Sequence, residues 1–72
     1  MAEYSVVLAS FVGERDGMAL ELHDSSGEAV AEVFEADATG ACAFSMRNGA
    51  SVPVMFISEL LRKAAEEFPQ AR

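Results

Sequence analysis

Apolar residues recur at two different spacings along this chain, and the change of spacing separates strands from a helix. From Tyr4 to Arg47 they alternate or run continuously, as in β-strands, whereas from Pro53 to Phe68 they recur every three or four residues, as in an amphipathic helix. The pattern predicts strands over about 4–12, 18–23, 28–35 and 41–47, followed by a helix over about 53–68.

The helix is predicted to begin at Pro53, which suits a first helical turn because its missing N–H needs no partner there. Ser51 is a candidate N-cap. A competing interpretation makes Val52–Phe56 a short strand and starts the helix after Ser58. The stripe expected to cover the sheet, with Leu61 at its centre, consists of Val54, Ile57, Leu61, Ala64 and Phe68, widened by Leu60 and Ala65.

The first predicted strand, Tyr4–Val12, is apolar on both alternations, which indicates a strand covered on both sides, either central in the sheet or at a subunit contact. The second strand alternates clearly, with Met18, Leu20 and Leu22 on one face. Glycine, asparagine and aspartate predict the turns between elements, at Gly13–Gly17, Asp24–Gly27, Ala36–Gly40 and Asn48-Gly49.

The third strand has two possible registers, and a shift of one residue would exchange its faces completely. One register aligns Ala29, Ala31 and Val33 with the Leu20 and Leu22 face and leaves Val30 and Phe34 outside. The other aligns Val30, Glu32 and Phe34 with that face and buries a carboxylate. We expect the first register.

The predicted fold is therefore α+β: a four-stranded antiparallel β-meander followed by one C-terminal amphipathic helix packed on one sheet face (ββββα), forming a single small domain over residues 1–72. One helix covers only one face. The other face is expected to be flat and partly apolar, and so a candidate dimer or partner surface. Its residues would be Ala19, Glu21, His23, Ala41, Ala43 and Ser45, with Val30 and Phe34.

Composition favours a small oligomer. A chain of 72 residues buries only about 60% of its unfolded surface. Because 51% of its residues are hydrophobic, part of the apolar surface is expected to be covered by a second copy, in a homodimer. The single cysteine, Cys42, excludes a disulfide framework. No apolar run is long enough to span a membrane and the N-terminus does not resemble a signal peptide, so a cytoplasmic location is expected.

The net charge of −7 is concentrated in the middle of the chain. Glu14–Asp37 holds eight acids and one base, while the remainder holds four acids and four bases. Such a surface repels nucleic-acid phosphates and suits a basic protein partner, although it also serves solubility alone. The hypothesis is an inhibitor or regulator of a basic partner, and the candidate partner surface comprises Glu21, Glu28, Glu32, Glu35 and Asp37.

Two residues are candidate sites of chemistry. His23 is the only histidine, and one histidine among carboxylates falls short of the ligand set of a zinc site. Cys42 lies among apolar neighbours, with no base to form a thiolate. No nucleotide-binding, hydrolase or redox motif occurs. The sequence therefore predicts a protein that is not an enzyme, with no catalytic residues, metal site or cofactor.

The predicted element order is similar to that of the Whirly-like and Pur-like single-strand-binding folds, and the similarity is confined to topology. It implies an alternative function, a single-stranded nucleic-acid-binding module. Such modules use basic sheets bearing aromatic residues, whereas the strands here are acidic. The residues available for that role are Arg47, Arg62, Lys63, Tyr4 and Phe34.

Overall fold

A computed structural model of the chain, which describes residues 3–13 and 15–71, confirms the predicted ββββα order. Glu14, part of the acidic segment, lies outside the described residues. The strands form one antiparallel sheet in the order β1-β2-β3-β4. The elements are β1 (Ser5–Phe11), β2 (Gly17–His23), β3 (Ala29–Ala36), β4 (Cys42–Met46), the helix α1 (Val54–Glu67) and a 3-10 turn (Pro69–Ala71).

The register of β3 is the first of the two considered. Leu20 lies opposite Val33 and Leu22 opposite Ala31, so these residues share the face that α1 covers, called here the helix face. A β-bulge beside Leu22 pairs His23 with Ala29 and leaves Val30 without a direct partner. Ala29, expected on the helix face, lies opposite His23 and is exposed, so that expectation is wrong. Val30 is buried in the core cluster, so its expected place on the opposite, outer face is wrong too. The bulge re-aims this side chain, which alternation alone places outside.

The ends of α1 differ slightly from the expectation. The helix begins at Val54, and the extended backbone of Pro53 immediately precedes it, so the interpretation of Val52–Phe56 as a strand is wrong. No side chain caps the first turn, and the predicted role of Ser51 is therefore also wrong. At the other end Phe68 has extended backbone and its N–H donates to the Ala64 carbonyl oxygen.

The helix packs through residues spaced four apart. Leu60, Ala64 and Phe68 are buried and Phe56 is half-buried, so these four form one ridge along the helix. Leu61, expected at the centre of the contact, is 46% exposed, and Val54 is 78% exposed. The parallel row Ile57–Leu61–Ala65 is equally apolar, and hydrophobic period alone cannot choose between adjacent rows.

A contact at each end of the ridge fixes its position on the sheet. The rings of Tyr4 and Phe56 lie with their centroids 4.5 Å apart, beside the start of β1. Past the other end, Gln70 Nε2 donates to the Thr39 carbonyl oxygen in the β3–β4 turn, at 3.1 Å. The helix therefore crosses the sheet diagonally, from the start of β1 to the β3–β4 turn, and leaves two corners of the helix face uncovered.

Both edge strands consequently expose apolar side chains. Leu8 on β1 is 48% exposed and Phe44 on β4 is 45% exposed, although both lie on the helix face. The interpretation of β1 as a central strand is wrong, because β1 lies at the edge of the sheet, next to β2. Its alternative, a subunit contact, stays a prediction.

Alanine substitution should distinguish the two apolar rows of α1. We expect Leu60→Ala to lower the free energy of unfolding by about 2–5 kcal/mol, because it leaves a cavity at the helix–sheet contact. Leu61→Ala, its matched control one residue away, should cost less than about 1 kcal/mol because that side chain is half-exposed. Urea unfolding measures both values, and equal losses would contradict the packing described.

Candidate interaction surface

The five acids predicted to form a partner surface are not brought together. Glu21 and Glu32 lie directly opposite each other on the outer face, whereas Glu35 faces the helix side, opposite Cys42. Glu28 precedes β3 in the turn after β2, and Asp37 follows β3 in the turn at the other end of the sheet. They are therefore distributed over both faces and both ends.

Three of these acids are engaged by a base. Glu28 pairs with Arg47, and Glu32 accepts two hydrogen bonds from Arg15, at 2.8 and 3.2 Å. Glu21 Oε1 lies 2.9 Å from His23 Nε2. Arg15 and Arg47 therefore offset the charge of two of these acids, and part of the acidic character of the sequence is neutralised locally in the fold.

Arg15 has a second role on the outer face that the sequence pattern did not predict. Its guanidinium lies 4.4 Å from the ring centroid of Phe11 and 4.2 Å from that of Phe34, as cation–π contacts require. Beneath this group Ala19 is completely buried, although it lies on the face of the sheet opposite α1. Arg15 thus closes a small apolar layer. The signal for this role in the sequence is the position of Arg15 between Gly13 and Gly17, in a turn that follows Phe11.

Gly17 makes room for this arrangement. A Cβ added there would lie 2.6 Å from Cζ of Phe34, and it would also collide with the carbonyl oxygen of Glu35. The absence of a side chain therefore allows the Phe34 ring to lie against the backbone of β2. Phe34 is half-buried as a result, so the outer face exposes less apolar surface than expected.

One end of the molecule collects acidic side chains from two turns and the end of α1. A hydrogen bond from the Asp37 N–H to the Asp16 carbonyl oxygen, 3.0 Å long, joins the β1–β2 and β3–β4 turns. The C-terminus of α1 meets the same end through Gln70 and adds its negative dipole to Glu66 and Glu67. The last turn of α1 contains no basic residue. We call Asp16, Asp37, Glu66 and Glu67 the acidic end.

A second surface is uncharged and apolar. Phe44 and Met46 are 45% and 39% exposed on the helix face of β4. With 3.6 residues per turn, Leu61 and Val54 lie about 140–160° around the helix axis from Phe56. Because Phe56 faces β1 through Tyr4, these two residues face β4. We call Phe44, Met46, Leu61 and Val54 the β4 band.

The candidate nucleophile and metal-ligand positions lie in surroundings that do not favour catalysis or metal binding. Burial, reinforced by the Glu35 carboxylate, raises the pKa of the Cys42 thiol and so disfavours the thiolate. Within residues 3–13 and 15–71, no group of three histidine, cysteine or acidic side chains is arranged to hold a metal ion. These positions add no support for a catalytic or metal site.

An open depression of about 290 Å³ lies beside the β-bulge, between the ends of β3 and β4. Its charged lining residues, Glu32 and Arg47, already bind Arg15 and Glu28. It is slightly smaller than the roughly 300–1,000 Å³ typical of ligand pockets and has few free polar groups to orient a ligand.

The residues available for single-stranded nucleic acid are also dispersed. Arg47 and Arg62 form ion pairs with acids. Tyr4 packs under the helix against Phe56, whereas Phe34 lies on the outer face under Arg15. No basic surface bearing adjacent aromatic rings results from this placement.

Comparison with known proteins gives no family, because no protein-family model, curated protein or solved structure matches the chain. Among the described residues, no helix has the length and apolar character needed to cross a membrane. The function must therefore be argued from the acidic end and the β4 band.

Removing Arg15 should open the outer face. We expect Arg15→Ala to lower the free energy of unfolding by about 1–2 kcal/mol, because both ring contacts and the paired bonds to Glu32 are lost. Arg62→Ala is the control, since its ion pairs lie on the exposed helix surface and should contribute less than about 1 kcal/mol. Denaturant unfolding of both variants tests this, and a smaller loss for Arg15→Ala would contradict the proposed layer.

The turn after β2 should contribute a pH-dependent part of the stability. The Ser26 hydroxyl donates to Asp24 Oδ1 at 2.6 Å and lowers the pKa of this carboxyl below its ordinary value of 3.8. Its contribution is therefore present above pH 3.8 and is lost as the pH falls through the lower, folded-state pKa. Asp24→Asn removes the titration, so the stability difference between wild type and variant should shrink on acidification. Unfolding curves at several pH values measure this difference, and a constant difference would contradict it.

Proposed function

We propose that this chain is a small, non-enzymatic protein-interaction module that acts as a homodimer and presents its acidic end to a basic protein partner, as an inhibitor or regulator of that partner would. The observation that carries the proposal is the separation of two surfaces. The β4 band is apolar and uncharged, and the acidic end lies beyond the turns that close the sheet.

The acidic end supports the basic partner. Its charges come from two turns and a helix terminus that hydrogen bonds hold next to one another. Glu66 is bonded by Arg62, while Asp37 and Glu67 lie exposed at the surface. A potential of one sign on one end accelerates association with an oppositely charged protein and makes the binding sensitive to salt.

Exposed apolar side chains support self-association. The surface area of 4703 Å² exceeds the roughly 4,300 Å² expected of a compact monomer of 7.7 kDa. The excess agrees with the flat shape of a four-stranded sheet under a single diagonal helix. Covering the exposed β4 band in an oligomer would restore the burial that a chain this short lacks.

Charge reversal at the acidic end should weaken binding to a basic ligand. An oligolysine peptide is the probe, and NMR chemical shifts of the chain report where and how tightly it binds. We expect the largest shifts at the backbone amides of Asp16, Asp37 and the end of α1, and several-fold weaker binding by Asp37→Lys.

Glu3→Lys is the matched control, because it changes the net charge equally at another exposed acid, before β1. It should weaken binding less than Asp37→Lys does. Equal losses from the two variants, or shifts spread evenly over the chain, would show that only net charge matters and would refute a defined acidic surface.

A further inference from the structure

The geometry of β4 points to the manner of self-association. We propose that two copies pair antiparallel along β4, about a two-fold axis at Phe44, and so join their sheets into one of eight strands. This inference rests on the proposed function, since it names the second copy as the occupant of the β4 band. It assigns Phe44 to the centre of the interface.

The free edge of β4 is defined by its hydrogen bonds to β3. The Arg47 N–H donates to the Val30 carbonyl oxygen at 2.9 Å, and the Ala41 carbonyl oxygen accepts from the Ala36 N–H at 3.0 Å. Because backbone groups alternate in direction along a strand, the odd-numbered residues of β4 bond to β3. The N–H and C=O groups of Cys42, Phe44 and Met46 therefore point outward, away from the sheet.

The outward-pointing N–H and C=O groups of β4 are complementary to those of β4 in a second copy. Antiparallel pairing about Phe44 places Phe44 opposite the partner's Phe44 and Cys42 opposite the partner's Met46. Residues whose N–H and C=O groups both point outward exchange two hydrogen bonds when they face each other in an antiparallel pair. The interface is thereby closed and symmetric, whereas pairing of β4 with β1 of the next copy would generate an open chain of molecules.

Nothing in β4 protects the edge against such pairing. Natural sheets block their edges with charged side chains, prolines or bulges, and the sequence Cys42-Ala-Phe-Ser-Met46 contains none of these. Its lack of charge also matters for a chain of net charge −7, because pairing here brings no acidic strand residue against its own copy.

The helix distinguishes β4 from the other edge strand. β1 is also uncharged, but Glu59 and Lys63 lie on the same flank of α1 as Phe56, the flank that faces β1. A strand added beside β1 would meet these charges. The opposite flank of α1, which is turned toward β4, instead carries Leu61 and Val54, and both are apolar and exposed.

An interface with a second copy would need only a modest share of the surface. A standard interface buries about 800 Å² on each partner, which is about one sixth of the 4703 Å² surface of this chain. Pairing along β4 would bury the outward backbone edge of the strand together with the side chains of the β4 band. Phe44, as a half-exposed aromatic on the axis, occupies the position of an anchor residue.

The first test compares lysine at two matched positions. Light scattering during size exclusion should give twice 7.7 kDa for the wild type and for Leu8→Lys, and 7.7 kDa for Phe44→Lys. Leu8 is the control because it is an equally exposed helix-face residue on the other edge strand. A monomeric wild type would overturn the homodimer of the proposed function. A dimer that survives Phe44→Lys would overturn only the assignment to β4.

The second test fixes the register and does not depend on folding of the lysine variants. In a Cys42→Ala background, Ala43→Cys and Ser45→Cys are prepared separately, and both positions are exposed on the outer face. Pairing about Phe44 places these two residues opposite each other as a non-hydrogen-bonded pair, about 4.5 Å apart at Cα, which a disulfide spans. Identical positions lie about 7–8 Å apart and cannot be bridged.

A mixture of the two cysteine variants should therefore form a disulfide-linked dimer under mild oxidation, and neither variant should do so alone. Linkage of either variant to itself, or none in the mixture while the wild type is dimeric, would overturn the pairing about Phe44.

Discussion

The contact between the Phe56–Leu60–Ala64–Phe68 row and the centre of the sheet is the interaction on which the rest of the structure depends. Its partners are Leu20 and Leu22 on β2 with Val33 on β3, and the bulge adds Val30 to the same cluster. Because one helix must cover four strands, it can bury the middle strands or an edge, but not both. The diagonal helix buries the helix-face side chains of β2 and β3 and leaves apolar side chains of the edge strands half-exposed.

The outer face is partly covered by a side chain, whereas the opposite face is covered by the helix. Part of the outer face is covered by Arg15, which lies over Phe11 and Phe34 and is held there by Glu32. An arginine can do this because its guanidinium stacks on rings while it keeps hydrogen-bonding to a carboxylate. The consequence for function is that the outer face, which looked in the sequence like the open surface, is partly closed. The more exposed apolar surface is on the helix face, at β4.

Strand alternation, turn residues and the change to a helical period together predicted the element order, the strand boundaries within a few residues and the register of β3. These patterns gave wrong predictions where two different arrangements fit the same sequence of apolar and polar residues. The rows through Leu60 and Leu61 are both apolar, and contacts between residues distant in the sequence, such as that of the Tyr4 and Phe56 rings, distinguish them. Likewise, alternation cannot foresee that a bulge turns Val30 inward. The candidate acids were found by composition, but their pairing with Arg15, His23 and Arg47 depends on the fold.

The placement of charge is consistent with an antiparallel pair. A chain of net charge −7 associates with itself only where like charges stay apart, and the Debye length at physiological salt is about 8 Å. In pairing about Phe44, β4 runs in opposite directions in the two copies, so the acidic ends lie at opposite ends of the joined strands. The longest dimension of one copy is 39 Å, several Debye lengths. The resulting assembly would carry two separated acidic ends, and a basic partner with two sites could engage both and gain avidity without any new contact.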